Sequence, residues 1–152
     1  HKDLPDEITF SHELQRRISE SHRFGTPLTV MYLRVVGFGA LEREFGTALG
    51  ELLLDSVGQF VGGTLREMDL LGRSEPGEFI VMLPGSSERE ANIVGNRIQS
   101  ALANCAIPIG STRITLQVSL GTCEVEPADD ATAFINRARS AVGAGQKLVA
   151  AV

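Results

Sequence analysis

The chain has 152 residues, of which 43% are apolar and 22% are charged, and its net charge at pH 7 is −5. This length and composition predict one soluble globular domain with a full hydrophobic core. The negative charge disfavours general binding to nucleic acid or to an anionic membrane, because both need a basic surface. Neither the two cysteines nor any long apolar run indicates a metal site, a disulfide framework or a membrane span, so the prediction is a cytoplasmic domain.

Hydrophobic periodicity predicts an alternation of helices and strands. In chain order the elements are a helix at 11–24, a strand at 27–36, helices at 40–45 and 47–65, strands at 69–74 and 79–83, a helix at 88–103, strands at 113–120 and 122–125, a helix from 129 or 130 to 142, and a short strand at 148–150. Long-range pairing must bring the first strand beside the strands at 69–83. The predicted fold class is therefore α+β, with a mostly antiparallel central sheet flanked by helices. We expect residues 1–152 to be a single domain excised from a longer multidomain signalling protein.

A tight turn is predicted between the strands at 69–74 and 79–83. The connecting residues are Glu75-Pro76-Gly77-Glu78. Proline presets the backbone for a turn corner and glycine tolerates positive φ, so Pro-Gly between two apolar runs is typical of a hairpin.

This hairpin resembles the signature of bacterial diguanylate cyclases, the GGDEF family. Residues 75–79 read Glu-Pro-Gly-Glu-Phe where the family has Gly-Gly-Asp/Glu-Glu-Phe. Residues 34–46 align without gaps on the family's Asp-x-Asp-x-Phe-Lys-x-x-Asn-Asp-x-x-Gly stretch, and residues 119–121 match its Ser-x-Gly strand. The resemblance covers almost the whole chain and implies the family's fold.

The resemblance also implies that the catalytic half-site is degenerate. Two positions that carry metal carboxylates in the family hold Arg34 and Gly77 here, and the guanine-reading positions hold Glu42 and Glu51. Only Glu78 keeps the family's residue. Since magnesium needs several oxygen ligands, we expect no bound metal, no cofactor, no catalytic residue and no enzymatic activity.

A second site of the family, which binds cyclic di-GMP as an inhibitor, has matching residues in this chain. The resemblance places Arg66 and Asp69 at its Arg-x-x-Asp motif and Arg97 at its second arginine, and Arg73 is expected to add positive charge nearby. An arginine fork and a carboxylate are the groups that read guanine. The alternative is structural, because Arg66 near a helix end is favoured by the helix dipole and Asp69 suits a turn.

Arg34 has two interpretations on the predicted central strand. Either it is a solvated residue at the strand end, or it forms an ion pair with Glu78 or Glu51. A buried charge without a partner is costly, so we favour the ion pair.

Three functions remain open from the sequence. The first is a catalytically inactive cyclic di-GMP receptor that acts on a downstream protein partner, similar to effector members of the family such as PopA-type regulators. The second is a protein-interaction or homodimerisation module that does not bind nucleotide. The third is a weak or altered nucleotidyl cyclase.

Overall fold

The computed structural model describes the backbone of residues 3–151 and the side chains of residues 3–142. It contains five helices and six strands in this part of the chain. In chain order they are α1 (Glu7–Phe24), β1 (Leu28–Val35), α2 (Phe38–Phe45), α3 (Thr47–Gly63), β2 (Leu70–Arg73), β3 (Glu78–Pro84), α4 (Glu88–Asn104), β4 (Ile107–Ile109), β5 (Thr112–Ile114), β6 (Val118–Glu124) and α5 (Ala131–Ala151).

Four strands form the central sheet in the order β2-β3-β1-β6, and every pairing in it is antiparallel. The predicted α+β class is confirmed, and so is the hairpin, whose strands are β2 and β3. Strand β1 lies in the middle of the sheet, beside the signature hairpin on one side and β6 on the other. Its almost continuous burial explains the long apolar run in its sequence.

The sheet has a hydrophobic core on each face. Side chains of β1 alternate between them, because successive residues of a strand point to opposite faces. Met31, Leu33 and Val35 pack in the core that includes α3 and α4, whereas Val30 and Tyr32 pack in the core that includes α1 and α5. The helices thus cover both faces.

The first helix begins earlier than predicted. The sequence predicted a start at Ser11, but the N-cap is Asp6, whose carboxylate accepts a 2.8 Å hydrogen bond from the Thr9 backbone N–H. Both residue types cap helices, and the choice between them depends on where the chain packs. Because of this early start, Glu7 belongs to the first turn of α1.

Two predictions in the last third of the chain are wrong. The alternating stretch at 113–120 is not one strand: β5 ends at Ile114 and β6 begins at Val118, while β5 pairs with the unpredicted β4. The glycines at 143 and 145 do not end the last helix, which continues to Ala151 through the predicted strand at 148–150. Glycine lowers helix propensity by only about 1 kcal/mol, which surrounding helix formers offset.

Pro5, two residues before α1, lies against the outer edge of β2. The Pro5 carbonyl accepts a 2.8 Å hydrogen bond from the Arg73 backbone N–H. A Cβ at Gly72 would come within 2.8 Å of Phe10 and 3.2 Å of the Pro5 carbonyl oxygen, so only glycine permits this approach. Among the described helices, none has the length and apolar character needed to cross a membrane.

Candidate functional site

The signature turn is closed by a hydrogen bond between its first and last residues. The Glu78 N–H donates to the Glu75 carbonyl over 2.8 Å. Gly77, the third residue, has φ +81°, which is a conformation that glycine adopts without strain. The turn predicted from Pro76-Gly77 is therefore confirmed, with Pro76 and Gly77 as its two central residues.

The turn is also fixed to the end of β1. The Gly77 carbonyl accepts a 2.8 Å hydrogen bond from the Val35 N–H. Phe38, the first residue of α2, packs so closely that a Cβ on residue 77 would lie 2.8 Å from the Phe38 Cβ. Phe38 thus occupies the space that a side chain at the third signature position would need.

Arg34 forms the predicted ion pair with Glu78. Its Nε lies 2.8 Å from Glu78 Oε2, and the two side chains are 29% and 15% exposed. The other carboxylate oxygen, Oε1, accepts a hydrogen bond from the hydroxyl of the fully buried Tyr32. Burial, together with this bond to Glu78, raises the pKa of the Tyr32 phenol above its ordinary value.

The groups around Glu78 do not fit the magnesium ion that the cyclase reaction uses. One oxygen of the single carboxylate is held by a guanidinium, and Gly77 offers no ligand. Among the residues whose side chains are described, no three histidines, cysteines or carboxylates are grouped so that they would hold a metal. Magnesium prefers several oxygen ligands, and this set does not supply them.

Glu51 is paired with Arg73, which was expected near Arg66. Glu51 Oε1 lies 3.6 Å from Arg73 Nη1, and the Arg73 guanidinium lies 5.9 Å from the centre of the Phe79 ring. The Arg73 side chain lies on the face of β2 that packs against α3. It therefore points away from the end of β3, where Arg66 contacts Pro84. Arg73 lines a cleft of about 390 Å³ together with polar and apolar residues, which are Asp3, Leu4, Leu54, Asp55, Gly58 and Gln59.

Glu42 lies next to this region on α2. Its side chain packs over α3, so that a Cβ on Gly50 would come within 3.4 Å of the Glu42 Cγ. The N-cap of α2 is Gly37, which has φ +74° and makes no side-chain capping bond. Glu42 and Glu51 are thus brought to neighbouring turns of two adjacent helices.

Arg66 and Asp69 bind each other. Arg66 Nη2 lies 2.8 Å from Asp69 Oδ1, and Oδ2 accepts from both Arg66 Nε at 3.2 Å and the Arg66 backbone N–H at 2.7 Å. The Asp69 side chain is only 2% exposed, whereas that of Arg66 is 47% exposed. The sequence analysis assigned both side chains to the recognition of guanine. Instead the tight turn between them folds the carboxylate back onto the arginine.

Arg66 also joins the loop that connects β3 to α4. Its Nη2 donates to the Pro84 carbonyl at 2.8 Å and to Ser86 Oγ at 3.2 Å. The hydrogen bond to Asp69 raises the pKa of the Arg66 guanidinium, and the nearby charge of Glu90 adds to this effect. The guanidinium therefore stands beside the first turn of α4.

Arg97 is an exposed residue of α4. It follows Glu90 by seven residues, which is nearly two full helical turns, so the two residues share a face about 10 Å apart along the axis. Ile93 lies between them on the same face and is 53% exposed. Arg66 and Arg97 therefore flank an exposed surface on one side of α4.

Four polar residues near the hairpin were missed by the sequence analysis. They lie on different elements and contact one another beneath the signature turn; they are Glu7, Tyr32, Ser74 and Arg139. No local motif links them, since Glu7 and Arg139 are separated by 132 residues. The one available signal was a tyrosine in an otherwise apolar strand, because a buried tyrosine hydroxyl usually finds a partner.

The fold agrees with the comparisons with known proteins. The family model described as "Diguanylate cyclase, GGDEF domain" matches residues 3–147. Diguanylate cyclase DgcP of Pseudomonas aeruginosa is 25% identical over 91% of the chain, and diguanylate cyclase DosC of Escherichia coli is 30% identical over 70%. The chain spans 21% and 24% of the length of these relatives.

Among solved structures, the GGDEF domain of DgcB from Caulobacter crescentus in complex with c-di-GMP superposes with a TM-score of 0.88. It is 20% identical, and the match covers 95% of this chain and 86% of that one. The likeness establishes the fold.

These comparisons correct one prediction. The sequence analysis expected no enzyme, yet the named relatives are diguanylate cyclases and the matching family model is that of an enzyme domain. The replacements at Arg34 and Gly77 change the site without removing the chain from that family. Signature hairpin, sheet order and family match together show that this chain belongs to the GGDEF family of diguanylate cyclase domains.

Proposed function

We propose that this GGDEF domain binds cyclic di-GMP on the surface between Arg66 and Arg97 and acts in signal transduction through a protein partner. The observation that carries the proposal is the arrangement of Arg66, which is fixed on one side by Asp69 and exposed on the other. A bis-guanylate ligand carries two phosphates and two purines, and arginine recognises both kinds of group.

Arg66 has unused hydrogen-bonding capacity for such a ligand. Its Nε and Nη2 are occupied by Asp69, Pro84 and Ser86, while Nη1 has no partner among the described residues. Four contacts hold the guanidinium in place, so little side-chain entropy remains to be lost on binding. A preorganised arginine with free N–H groups suits a phosphate oxygen or the N7 and O6 acceptors of guanine.

The surface of α4 provides the second half of the proposed site. Arg97 supplies a further cation, and the exposed Ile93 offers an apolar surface beside it. A purine nucleotide combines a base with flat faces and an anionic phosphate, which matches an apolar side chain between two guanidiniums. The proposed complex therefore places phosphates or guanine edges at the two arginines and a base against Ile93.

Asp69 has a different role here from the one that the sequence analysis assigned to it. Both of its oxygens are held by Arg66 and its side chain is buried, so it orients Arg66 instead of reading guanine directly. Asp69→Asn would exchange one acceptor for a donor that faces the arginine. Binding should then weaken through a misplaced Arg66.

The test is isothermal titration of the purified chain with cyclic di-GMP. Arg66→Ala removes a charge-assisted contact worth about 1–3 kcal/mol, so affinity should fall about tenfold to a hundredfold. Arg97→Ala should also weaken binding, and Arg66→Lys should not restore it because an ammonium group lacks the planar fork.

Arg16→Ala is the matched control, since Arg16 is 74% exposed on α1 and pairs only with Glu13 in the described part of the chain. It removes the same charge at another place and should leave the affinity unchanged. Circular dichroism shows that each variant is folded. If folded Arg66→Ala and Arg97→Ala bind as tightly as the parent, the proposed site is wrong.

A second candidate function is synthesis of cyclic di-GMP, which the names of the curated relatives favour. The test is turnover of GTP with magnesium or manganese, followed by chromatography of the product. Product that disappears in Glu78→Gln would support this function, and a yield no higher than without protein would refute it. Because this assay does not depend on Arg97, it is separate from the binding test.

A further inference from the structure

A chain of polar contacts runs from the first turn of α1 to the signature hairpin. It begins on α1, passes the end of β2 and the centre of β1, and finishes at the first residue of β3 and its partner on β1. In order its members are Glu7, Ser74, Tyr32, Glu78 and Arg34, with Arg139 of α5 alongside.

Glu7 is the point where α1 enters this chain. Its Oε1 accepts from Ser74 Oγ at 2.6 Å and from Arg139 Nη2 at 2.6 Å. Partial burial disfavours the carboxylate, but the bonds from Ser74 and Arg139 outweigh that effect and lower the pKa of Glu7 below its ordinary value. Glu7 is thus a charged group held by two elements other than its own helix.

Arg139 and Tyr32 carry the contacts across the core. The Arg139 Nε donates to the Tyr32 hydroxyl oxygen at 3.2 Å, and the guanidinium lies 5.0 Å from the centre of the tyrosine ring. The Tyr32 oxygen is also 2.7 Å from Ser74 Oγ, and its proton is donated to Glu78. Tyr32 is completely buried, so its ring cannot turn to water if one of these partners moves.

The positive and negative charges within this chain of contacts balance. Glu7 and Glu78 supply two negative charges, and Arg34 and Arg139 supply two positive charges, with pairs at 2.6 and 2.8 Å. In such a partly buried network the loss of one member leaves its neighbour unsatisfied, and the remaining bonds rearrange. A displacement of Glu7 at one end would therefore change the hydrogen bonds of Glu78 and Arg34 at the other.

We propose that this chain of contacts couples the position of α1 to the signature hairpin, with Glu7 and Arg139 as positioning residues for Glu78 and Arg34. A shift of the first turn of α1 would move Glu7, free Arg139 from its partner and change the hydrogen bonds of Tyr32. The signature turn would respond through Glu78. The coupling requires only contacts within the domain and is independent of cyclic di-GMP binding.

The protein contains its own reporter for this test. Tyr32 is the only tyrosine, and the chain has no tryptophan, so intrinsic emission comes from the middle of the proposed coupling. The experiment compares the tyrosine emission of the parent with that of Glu7→Gln at about pH 7. Amide hydrogen exchange is followed at residues 75–79 in the same samples.

Glu13→Gln is the control, because it removes the same charge from α1 at a surface ion pair with Arg16. Glu7→Gln should change the tyrosine emission and increase exchange in the signature turn, whereas Glu13→Gln should change neither. Identical emission and exchange in the two variants would overturn the coupling.

Alkaline titration, followed by the tyrosine absorbance, measures the pH at which the Tyr32 phenol ionises. This pH should shift in opposite directions in two variants. Glu7→Gln leaves Arg139 without its carboxylate, so phenol ionisation should move to lower pH. Arg139→Gln removes a cation that favours the phenolate and should move it to higher pH. Where Arg139→Gln does not fold, Arg139→Lys keeps the charge but loses the fork, and its emission should still differ from that of the parent. Shifts of the same sign in Glu7→Gln and Arg139→Gln, or parent-like emission of Arg139→Lys, would contradict the proposal.

Discussion

The ring of Phe38 occupies the space beside Gly77 that a side chain at the third signature position would need. A Cβ added to residue 77 would lie 2.8 Å from the Phe38 Cβ and 2.9 Å from its Cγ. The backbone of Gly77, at φ +81°, is also unfavourable for any other residue type. Packing and backbone conformation therefore both select glycine at this point of the hairpin.

Gly77→Ala should destabilise the domain because of this contact. The backbone conformation alone costs about 1–2 kcal/mol, and displacement of Phe38 adds to it. Thermal or urea unfolding measures the loss. Gly63→Ala is the control, since nothing lies within 4 Å of its Cβ position and it ends a helix, so its effect should be neutral or stabilising.

Phe38→Ala in the Gly77→Ala background separates the two causes. If the contact contributes, the double variant should be more stable than the sum of the two single effects, because the new methyl group no longer meets a ring. Additive losses would mean that backbone conformation alone accounts for the cost.

Arg34→Ala should lower the free energy of unfolding by about 1.5–3 kcal/mol, the range for a hydrogen bond to a charged group. Glu78 would lose its guanidinium partner while remaining only 15% exposed. For a chain of this size the melting temperature should fall by about 2–4 °C per kcal/mol. Arg16→Ala should cost less than about 1 kcal/mol, since it breaks an exposed pair. Equal losses in the two variants would contradict the stabilising role of Arg34.

Stability should depend on pH through Glu7. Because the pKa of this carboxyl is lower in the folded protein than its ordinary value of 4.5, its contribution is present above that pH and is lost as pH falls through the folded pKa. Glu7→Gln should therefore be less stable than the parent at about pH 7, and the difference should shrink towards about pH 3. A difference that does not change with pH would show that charge at Glu7 is irrelevant to stability.

The two cysteines should react at very different rates with a thiol reagent. Cys105 is exposed, whereas Cys123 is buried and desolvation raises the pKa of its thiol to about 11. At about pH 8 only about one part in a thousand of Cys123 is thiolate, so it should react slowly until the protein unfolds. Cys105→Ser should remove the fast phase; two fast phases in the parent would place Cys123 at the surface.

Sequence patterns predicted the parts of the fold that local chemistry determines. The turn at Pro76-Gly77 and the buried strand β1 have strong signals, and both were found. The boundary of α1 and the break between β5 and β6 depend instead on which of several similar residues pack. Ser119 illustrates this: it lies between the apolar residues Val118 and Leu120, an alternation that predicts a polar face for Ser119, but the structure buries its side chain completely.

The candidate sites show the same division. The spacing of Arg66 and Asp69 predicted their proximity, but their mutual hydrogen bonds and the burial of Asp69 arise from the turn between them. The ion pair of Arg34 with Glu78 was predictable because a charged residue in a central strand needs a partner. The position of Arg73 beside Glu51 was not, since it depends on how β2 packs against α3.

The segment at Pro5 has a consequence for how copies of this protein meet in solution. Strand β2 is an outer strand of the sheet, and an uncovered outer strand offers N–H and C=O groups on which a foreign strand can add. Pro5 accepts from the Arg73 N–H and has no N–H of its own, so it satisfies that position without presenting a new donor. Pro5 thus hinders strand addition at the Arg73 position of β2, a protection built from one proline carbonyl and the close approach that Gly72 allows.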